Sequence, residues 1–208
     1  DGQGRYFTLK GLTGKPAPWQ GTRPLVMNAG SSTAGREFAA RNCDLLFTLL
    51  IDLDHGRKTL DQITTLAAAA GRSIEVLTTS YVVCRPSRRE AEEYHRYYAE
   101  ECADREAVDH WFTMQSQHTR GRPAEFEALF RRRFAGGHGC YPLIGSPDDI
   151  AEELARLAAI GFAGTTVAFV DYLAEFPYFA SEVLPRLERL GLRRPADVPP
   201  TASATPPR

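Results

Sequence analysis

Short apolar runs alternate with longer amphipathic stretches along most of the chain. Pro24 to Asn28 and Leu45 to Ile51 are almost wholly apolar, while Ile74 to Cys84 is longer and rich in β-branched residues. Thr165 to Val170 repeats the pattern near the end of the chain. Runs of this length and composition predict strands that are buried on both faces. We therefore expect four parallel strands that are separated by helices.

The stretches between the apolar runs carry helix signals. Thr59 begins a capping-box pattern, and apolar residues then recur along one helical face up to Gly71. Ser87 begins a second capping box, which predicts a long polar helix towards His110. Ser146, which a proline follows, is a third strong helix start. Strands and helices that alternate in this way predict βαβ units, but a doubly wound sheet and a (β/α)8 barrel share the pattern.

Glycine marks the places where we expect regular structure to stop. Residues 1–22 are dense in glycine and proline and predict a loop that leads into the first long strand. Thr119 to Pro123 (TRGRP) predicts a break between two helices. Three glycines surround His138 and predict a flexible loop. A histidine in such a loop could reach a ligand, but a plain loop is the simpler interpretation.

A small polar turn separates the first apolar run from its helix, because residues 29–35 read AGSSTAG. A helix N-terminus has unpaired N–H groups and the positive end of the helix dipole, and small residues let an anion approach that backbone. The turn is therefore a candidate phosphate seat, with Arg36 as an added cation. The alternative is that Ser32 merely caps the helix and Gly35 merely permits close packing.

Composition excludes several classes of function. The chain has 208 residues, 43% of them hydrophobic, and a formal net charge of -1, which predicts one soluble globular domain with no basic excess for nucleic acid. It has no apolar stretch long enough to span a membrane, and its N-terminus lacks the charged and apolar segments of a signal peptide, so we expect no export. The four cysteines lack paired CxxC spacing, so we expect reduced thiols in a cytoplasmic protein.

Two acids and a histidine, Asp52, Asp54 and His55, follow the second apolar run. They resemble part of a metal cluster, but no further ligand is spaced to join them. A polar loop at a strand end explains them more simply. We therefore predict no metal site.

The segment NAGSSTAGREFAARNCDLLF, residues 28–47, resembles the flavin-phosphate segment of the bacterial luciferase-like flavin-dependent monooxygenases, closest to their dimethyl-sulfone monooxygenase and pyrimidine oxygenase branches. Looser resemblance extends over GRYFTLKGL, VVCRPSRREAEEY and LIGSPDDIAEELARLAAIGFAGTTVAFVDY. This resemblance implies an α/β fold, the C-terminal half of a (β/α)8 TIM barrel with a helical insertion before the last strand. Since a complete barrel takes about 250 residues, the half should have two exposed edge strands and an unfilled interior.

Two regions are expected from the same reasoning. Residues 1–194 would form the partial barrel, and residues 195–208, rich in proline, alanine, serine and threonine, would be a disordered tail. The chain starts at Asp1 within a part of the sequence that matches the middle of the family. We expect it to be a fragment or a truncated relative.

The resemblance also implies an activity. The protein would be an FMN-dependent monooxygenase that transfers one oxygen atom from a reduced-flavin peroxide to a small organic substrate. O2 would be the co-substrate, and a separate flavin reductase would supply reduced FMN. Asn28 would approach the flavin or its ribityl chain. The phosphate would be held by four residues: Ser31, Ser32, Gly35 and Arg36.

Substrate contacts are implied less directly. Tyr172 aligns with a tyrosine near the substrate in the alkanesulfonate branch of the family, although an ordinary tyrosine at a strand end would also explain it. Thr79 and Tyr81 stand where that branch has an arginine and a histidine that serve the sulfonate, so a sulfonate substrate is disfavoured. If the third strand lines a barrel, some of its hydroxyls should face the ligand.

Three further expectations remain open at this point. The chain could be a catalytically inactive, flavin-binding half-barrel, or a deazaflavin-dependent reductase of the same superfamily, because the serine turn would seat either cofactor. Exposed strand edges should also favour a homo-oligomer.

Overall fold

The longest strand, Glu75–Cys84, forms the centre of the sheet in this computed structural model, which describes residues 1–30, 32–115 and 124–195. All strands of this sheet pair in parallel. They are β3 (Met27–Asn28), β4 (Leu45–Phe47), β5 (Glu75–Cys84), β6 (Tyr141–Gly145) and β7 (Gly164–Ala168). A separate antiparallel ribbon precedes them, formed by β1 (Gly2–Gln3) and β2 (Thr8–Leu9).

Helices pack on both faces of the sheet: most of them cover one face, and a few cover the end of the longest strand on the other. They are α1 (Thr33–Asn42), α2 (Leu53–Ala69), α3 (Arg88–Arg96), α4 (Arg105–Gln115), α5 (Ala124–Gly137), α6 (Pro147–Ile160), α7 (Tyr172–Glu182) and α8 (Leu184–Arg189). A π-helical turn, Tyr97–Glu101, follows α3 and separates it from α4. Since α4 and α5 come between β5 and β6, the predicted helical insertion before the last strand is confirmed. None of the helices in the described ranges is long and apolar enough to cross a membrane.

The strand order is β3-β4-β5-β6, and β7 lies on the other edge of β5. The start of β5 pairs with β4 and its end pairs with β6, as in the pairs Leu46↔Val76 and Val82↔Leu143. β7 pairs with the middle of β5 on the opposite edge. Four of these strands were predicted from their apolar runs. β6 was not, because Pro142 and the neighbouring glycines suggested a loop.

The main core lies between the sheet and the helices. Strand side chains alternate between two faces, and Leu46, Val76 and Leu143 point towards the helices, where each is almost fully buried. Ile63 of α2 and Ile150 of α6 complete this layer and are equally buried. Burial of such side chains stabilises the fold by roughly 1.5–3 kcal/mol each.

The opposite side of the sheet is much less covered, and we call it the open face. Since Leu46 faces the helices, its neighbours Leu45 and Phe47 face the other way, and Met27 shares that face by its pairing with Leu45. Met27 is 55% exposed and Leu25 beside it 78% exposed. In a complete barrel this face would point inwards and be packed. The predicted unfilled interior is therefore present.

α2 begins earlier than predicted. Asp52 is its N-cap residue and accepts a hydrogen bond from the backbone N–H of His55 at 2.7 Å, so Thr59 lies inside the helix and is buried. The two acids and the histidine after β4 thus form a helix start. Within the described ranges no group of three or more His, Cys, Asp or Glu residues could hold a metal ion.

The insertion also differs from prediction. The helix that starts at Ser87 ends at Arg96, short of His110. At the other end, Gly136 and Gly137 belong to α5 and not to a loop. The predicted break at residues 119–123 lies outside the described residues, as do residues 196–208 of the predicted tail.

The hydroxyl group of Thr78 supports a stability prediction. Thr78 is fully buried, and its Oγ1 has no hydrogen-bond partner among the described residues. Because an unsatisfied buried polar group costs about 1–3 kcal/mol, Thr78→Val should raise the free energy of unfolding by about 1 kcal/mol in urea titrations. Ser80 is the control, since it is also fully buried but bonds to Thr165 at 2.8 Å. Ser80→Ala should be destabilising, and a loss of stability in Thr78→Val would contradict the prediction.

Candidate functional site

The turn after β3 begins a helix at the carboxyl ends of the parallel strands, an edge that we call the rim. Ser32 is the N-cap of α1, and its Oγ accepts a hydrogen bond from the backbone N–H of Gly35 at 3.1 Å. Thr33 and Ala34 occupy the first helical turn, where backbone N–H groups have no acceptor within the helix. The predicted helix start at this turn is confirmed. Ser31 lies outside the described residues.

Two glycines bring the turn and the helix into backbone contact. A Cβ atom on Gly30 would lie 2.6 Å from Oδ1 of Asn28 and 3.0 Å from Cα of Gly35. A Cβ atom on Gly35 would lie 3.1 Å from Cα of Gly30. Asn28 closes the turn, since its Oδ1 accepts a hydrogen bond from the N–H of Gly30 at 2.6 Å. Any side chain at either glycine would push the turn away from the helix.

Arg36 lies one turn along α1 and reaches across to α2. Its Nη1 donates to Oε1 of Gln62 at 3.2 Å, while its Nε is buried without a hydrogen-bond partner among the described residues. His55 on α2 is close enough for the Arg36 charge to affect it. Burial lowers the pKa of His55 and Arg36 lowers it further, whereas Asp52 raises it. A positive charge thus stands near the start of α1, beside a histidine whose neutral form is favoured.

Tyr172 stands on the same rim, at the first position of α7. Its side chain is 56% exposed, and its ring lies 5.5 Å from that of Phe169. β7 precedes Tyr172 and β3 precedes Ser32, so β4 and β5 separate the two positions in the sheet. The structure therefore groups Asn28, Ser32, Gly35 and Arg36, and holds Tyr172 on the same rim but apart from them.

Two hydroxyl groups on β5 and β7 face the open side of the sheet. Thr166 Oγ1 donates to Thr79 Oγ1 at 2.9 Å, and Thr79 Oγ1 donates to Sγ of Cys140 at 3.4 Å. By strand alternation Thr78 and Ser80 face the helices, so they do not line this side. The pair Thr79 and Thr166 was not singled out as a unit from the sequence.

Tyr81 shares that side of β5 but is covered by the insertion. Its hydroxyl lies 3.1 Å from Nε2 of His95, and the two rings stack with centroids 5.8 Å apart. Burial raises the pKa of Tyr81 to about 12 and lowers the pKa of His95. Both groups therefore stay neutral near pH 7. Tyr81 is nearly fully buried under α3 and α5, so a movement of these helices would be needed to expose it to a ligand.

An ion pair on the rim was not predicted from the sequence. Nη2 of Arg85, just after β5, donates to Oε1 of Glu175 on α7 at 2.6 Å. The two residues are 90 positions apart. The only local signal was an acid in the first turn of a helix, which is a common position for a carboxylate.

The fold and the turn define an α/β protein with a helix N-terminus and two close glycines on its rim, as in anion-binding sites. A model of the family described as luciferase-like monooxygenase matches residues 1–164. The chain belongs to this family.

Among curated proteins, the FMNH(2)-dependent dimethylsulfone monooxygenase of Pseudomonas fluorescens is 29% identical in an alignment 196 residues long that covers 90% of this chain and 52% of that protein. The Pseudomonas putida enzyme of the same name is 29% identical in an alignment 202 residues long that covers 94% of this chain and 55% of that protein. The chain thus spans about half the length of these relatives.

Solved structures agree on the fold. DmoA from Hyphomicrobium sulfonivorans superimposes with a TM-score of 0.74 at 24% identity, over 91% of this chain and 46% of that one. A riboflavin lyase, solved with modified FMN and riboflavin, gives a TM-score of 0.72 at 22% identity, over 92% of this chain and 48% of that one. The chain has the fold of half a luciferase-like TIM barrel, as the sequence predicted.

Proposed function

We propose that this chain is the C-terminal half-barrel of an FMN-dependent monooxygenase, which uses O2 to oxygenate a small organic substrate. The observation that carries the proposal is the glycine-bounded turn at Ser32, which begins a helix on the rim of a luciferase-like fold. The FMNH(2) dependence named for two relatives supports reduced FMN as the cofactor.

The residues at the turn fit a phosphate group. The close backbone contact between Gly30 and Gly35 excludes a side chain at either position, so neither residue blocks the helix start. Phosphate oxygens can accept hydrogen bonds from the free N–H groups of the first turn and from the Ser32 hydroxyl. Ser31 and Arg36 would add a hydroxyl and a positive charge. Asn28 closes the turn and would stand near the ribityl end of the cofactor.

Three further side chains on the rim and the open face also have roles in this proposal. Reduced FMN, when bound, would supply the electrons that activate O2. Tyr172, exposed on the rim, would contact the substrate and orient it. Thr79 and Thr166 would offer hydroxyl groups deeper on the open face. Exclusion of water from this space requires cover over the open face, because reactive species are lost to water in an open site.

We also propose the substrate class and the partners. Thr79 and Tyr81 carry no charge near pH 7, which favours an uncharged substrate over a sulfonate. A separate flavin reductase would provide reduced FMN, and the exposed edge β3 would favour a homo-oligomer. The four cysteines form no disulfide in the structure, in keeping with a cytoplasmic location.

A second candidate is a flavin-binding half-barrel without catalysis, possible with FMN or with a deazaflavin. The exposure of Met27 and Leu25 favours it, since the open face alone encloses no ligand. Turnover assays on the chain separate the two candidates, as set out in the Discussion.

Ser32→Ala tests the phosphate seat. We expect FMN binding to weaken by about 1 kcal/mol, roughly fivefold, because one hydrogen bond to a charged group is lost. Binding would be followed by NMR through the amide signals of Thr33 and Ala34. Riboflavin, which lacks the phosphate, should bind wild type and variant equally.

Ser146→Ala is the matched control for this experiment. Ser146 caps α6 by the same type of bond, in which its Oγ accepts from the N–H of Asp149. Loss of the Ser146 hydroxyl should lower the free energy of unfolding by about 1 kcal/mol, as loss of the Ser32 cap should. FMN binding should stay unchanged. Equal FMN affinity in Ser32→Ala and wild type would count against the assignment.

A further inference from the structure

A network of contacts on the rim joins α7 to the ends of β5 and β7 and to α3. It is centred on Glu175, whose side chain is only 9% exposed. Oε1 of Glu175 accepts from Nη2 of Arg85 at 2.6 Å. Oε2 accepts from the backbone N–H groups of Val170 and Asp171 at 3.0 and 3.1 Å. Both oxygens of a nearly buried carboxylate are thus satisfied, which is the condition under which burial of a charge is tolerated.

Arg85 is held equally firmly. Its Nη1 donates to the backbone carbonyl of Cys84 at 2.9 Å, and its guanidinium carbon lies 4.0 Å from the centre of the Tyr94 ring. The side chain is 24% exposed. A planar guanidinium can donate in two directions and stack on a ring at the same time, which a lysine cannot do. The contacts at position 85 therefore require arginine.

These bonds fix the backbone immediately before Tyr172. Glu175 binds the N–H of Asp171, and Asp171 in turn caps α7 by accepting from the N–H groups of Leu173 and Ala174. The backbone of Tyr172 is thus held on both sides, while more than half of its side chain remains exposed. A rigid backbone beneath an exposed aromatic ring is suited to presenting that ring to a ligand.

The network also reaches the insertion. The Tyr94 ring, on which Arg85 stacks, lies 5.3 Å from that of Tyr98. The hydroxyl of Tyr98 donates to the carbonyl of Gly136 at the end of α5, at 2.8 Å. Contacts therefore run without a gap from the loop before Tyr172 to the helix that covers Tyr81.

We propose that Glu175, through its pair with Arg85, is a positioning residue that holds Tyr172 at the mouth of the flavin site and ties it to the insertion. The role of Tyr172 rests on the proposed function. The bonds that hold it do not, so the two parts can be tested apart.

The first test measures amide hydrogen exchange in the 208-residue chain. Glu175→Gln keeps an oxygen acceptor for Val170 and Asp171 but removes the charge that Arg85 needs. We expect exchange at those two amides to accelerate at least tenfold, with α2 unchanged. Arg85→Lys should have a similar effect, which guards against a misfolded Glu175→Gln variant. Unchanged exchange in both variants would overturn the proposal.

Glu93→Gln is the matched control. Glu93 pairs with Arg89 on the surface of α3, where both side chains are largely exposed, so the variant removes an ion pair and leaves the rim intact. Exchange at Val170 and Asp171 should stay at the wild-type rate. Acceleration there would show that any loss of charge loosens the rim, and the specific role of Glu175 would be refuted.

The second test follows Tyr172 itself by ¹⁹F NMR after incorporation of 3-fluorotyrosine, with Tyr172→Phe to assign its signal. We expect Glu175→Gln to move this signal towards that of free fluorotyrosine and the Glu93→Gln control to leave it in place. If Glu175 had only a structural role, Glu175→Gln would lower global stability without this local change. An unmoved Tyr172 signal would refute the positioning role.

Addition of FMN at millimolar concentration then tests the proposed function separately from the positioning role of Glu175. In wild type it should shift the Tyr172 signal and the amides of Thr33 and Ala34, whereas in Glu175→Gln only the two amides should still shift. If FMN shifts neither set in wild type, the proposed function fails, and the exchange rates still decide whether Glu175 holds the loop. If both sets shift equally in the variant, the positioning role is refuted.

Discussion

Gly137→Ala is expected to lower the free energy of unfolding by about 2 kcal/mol, because overpacking a close contact typically costs about 1–3 kcal/mol. A Cβ atom on Gly137 would lie 2.2 Å from Cγ and Cδ1 of Tyr81, a distance at which either α5 or the ring must move. Tyr81 has little room, since it is nearly fully buried and stacked on His95.

Helix propensity makes the opposite prediction for this substitution. Alanine is favoured over glycine inside a helix by about 1 kcal/mol, and Gly137 belongs to α5. The sign of the change in the free energy of unfolding therefore tests whether α5 packs against Tyr81 on the sheet. Urea unfolding followed by near-ultraviolet circular dichroism gives the measurement, and an increase in stability would contradict the packing.

Gly14→Ala is the control for Gly137→Ala. A Cβ atom on Gly14 meets nothing within 4 Å, so its effect should stay within about 0.5 kcal/mol, as for most surface substitutions. If both variants lose equal stability, the loss in Gly137→Ala does not arise from contact with Tyr81.

The 208-residue chain on its own is expected to bind FMN weakly and to show no monooxygenase turnover. It holds one proposed phosphate turn, but much of its open face is uncovered, and Met27 there is 55% exposed. Water would reach a bound reduced flavin and O2 would be consumed without oxygenation of a substrate. The exposed apolar face and strand edge should also make the chain associate at micromolar concentrations.

The assay supplies reduced FMN, O2 and a panel of sulfones, pyrimidines and related amides, and measures oxygenated product against oxygen consumed. Size-exclusion chromatography at several concentrations follows association in parallel. Substrate-dependent oxygenation at ordinary enzyme rates by a monomer would show that half a barrel suffices, and the interpretation of the open face would be wrong. Turnover by a stable dimer would instead show that a second copy covers that face.

Local patterns predicted much of the helical structure. The starts at Ser32, Ser87 and Ser146 were correct because each depends on a bond to a backbone N–H three residues away. The same locality made the candidate phosphate turn recognisable, since its hydroxyl and glycines lie within eight residues of Asn28. The start of α2 was missed although it is also local, because Asp52 was interpreted as part of a loop.

The sequence by itself thus determined four of the parallel strands, the turn before α1 and the caps at Ser32, Ser87 and Ser146, because these depend on residues within a few positions of each other. Only the tertiary structure decided which apparent loops are ordered. Tyr141 to Gly145 becomes a strand because the end of β5 offers an unpaired edge. Gly137 ends α5 where that helix packs against Tyr81, at a distance that leaves room only for glycine. The rim bond between Arg85 and Glu175 joins residues that only the folded chain brings together, so no local pattern could predict it.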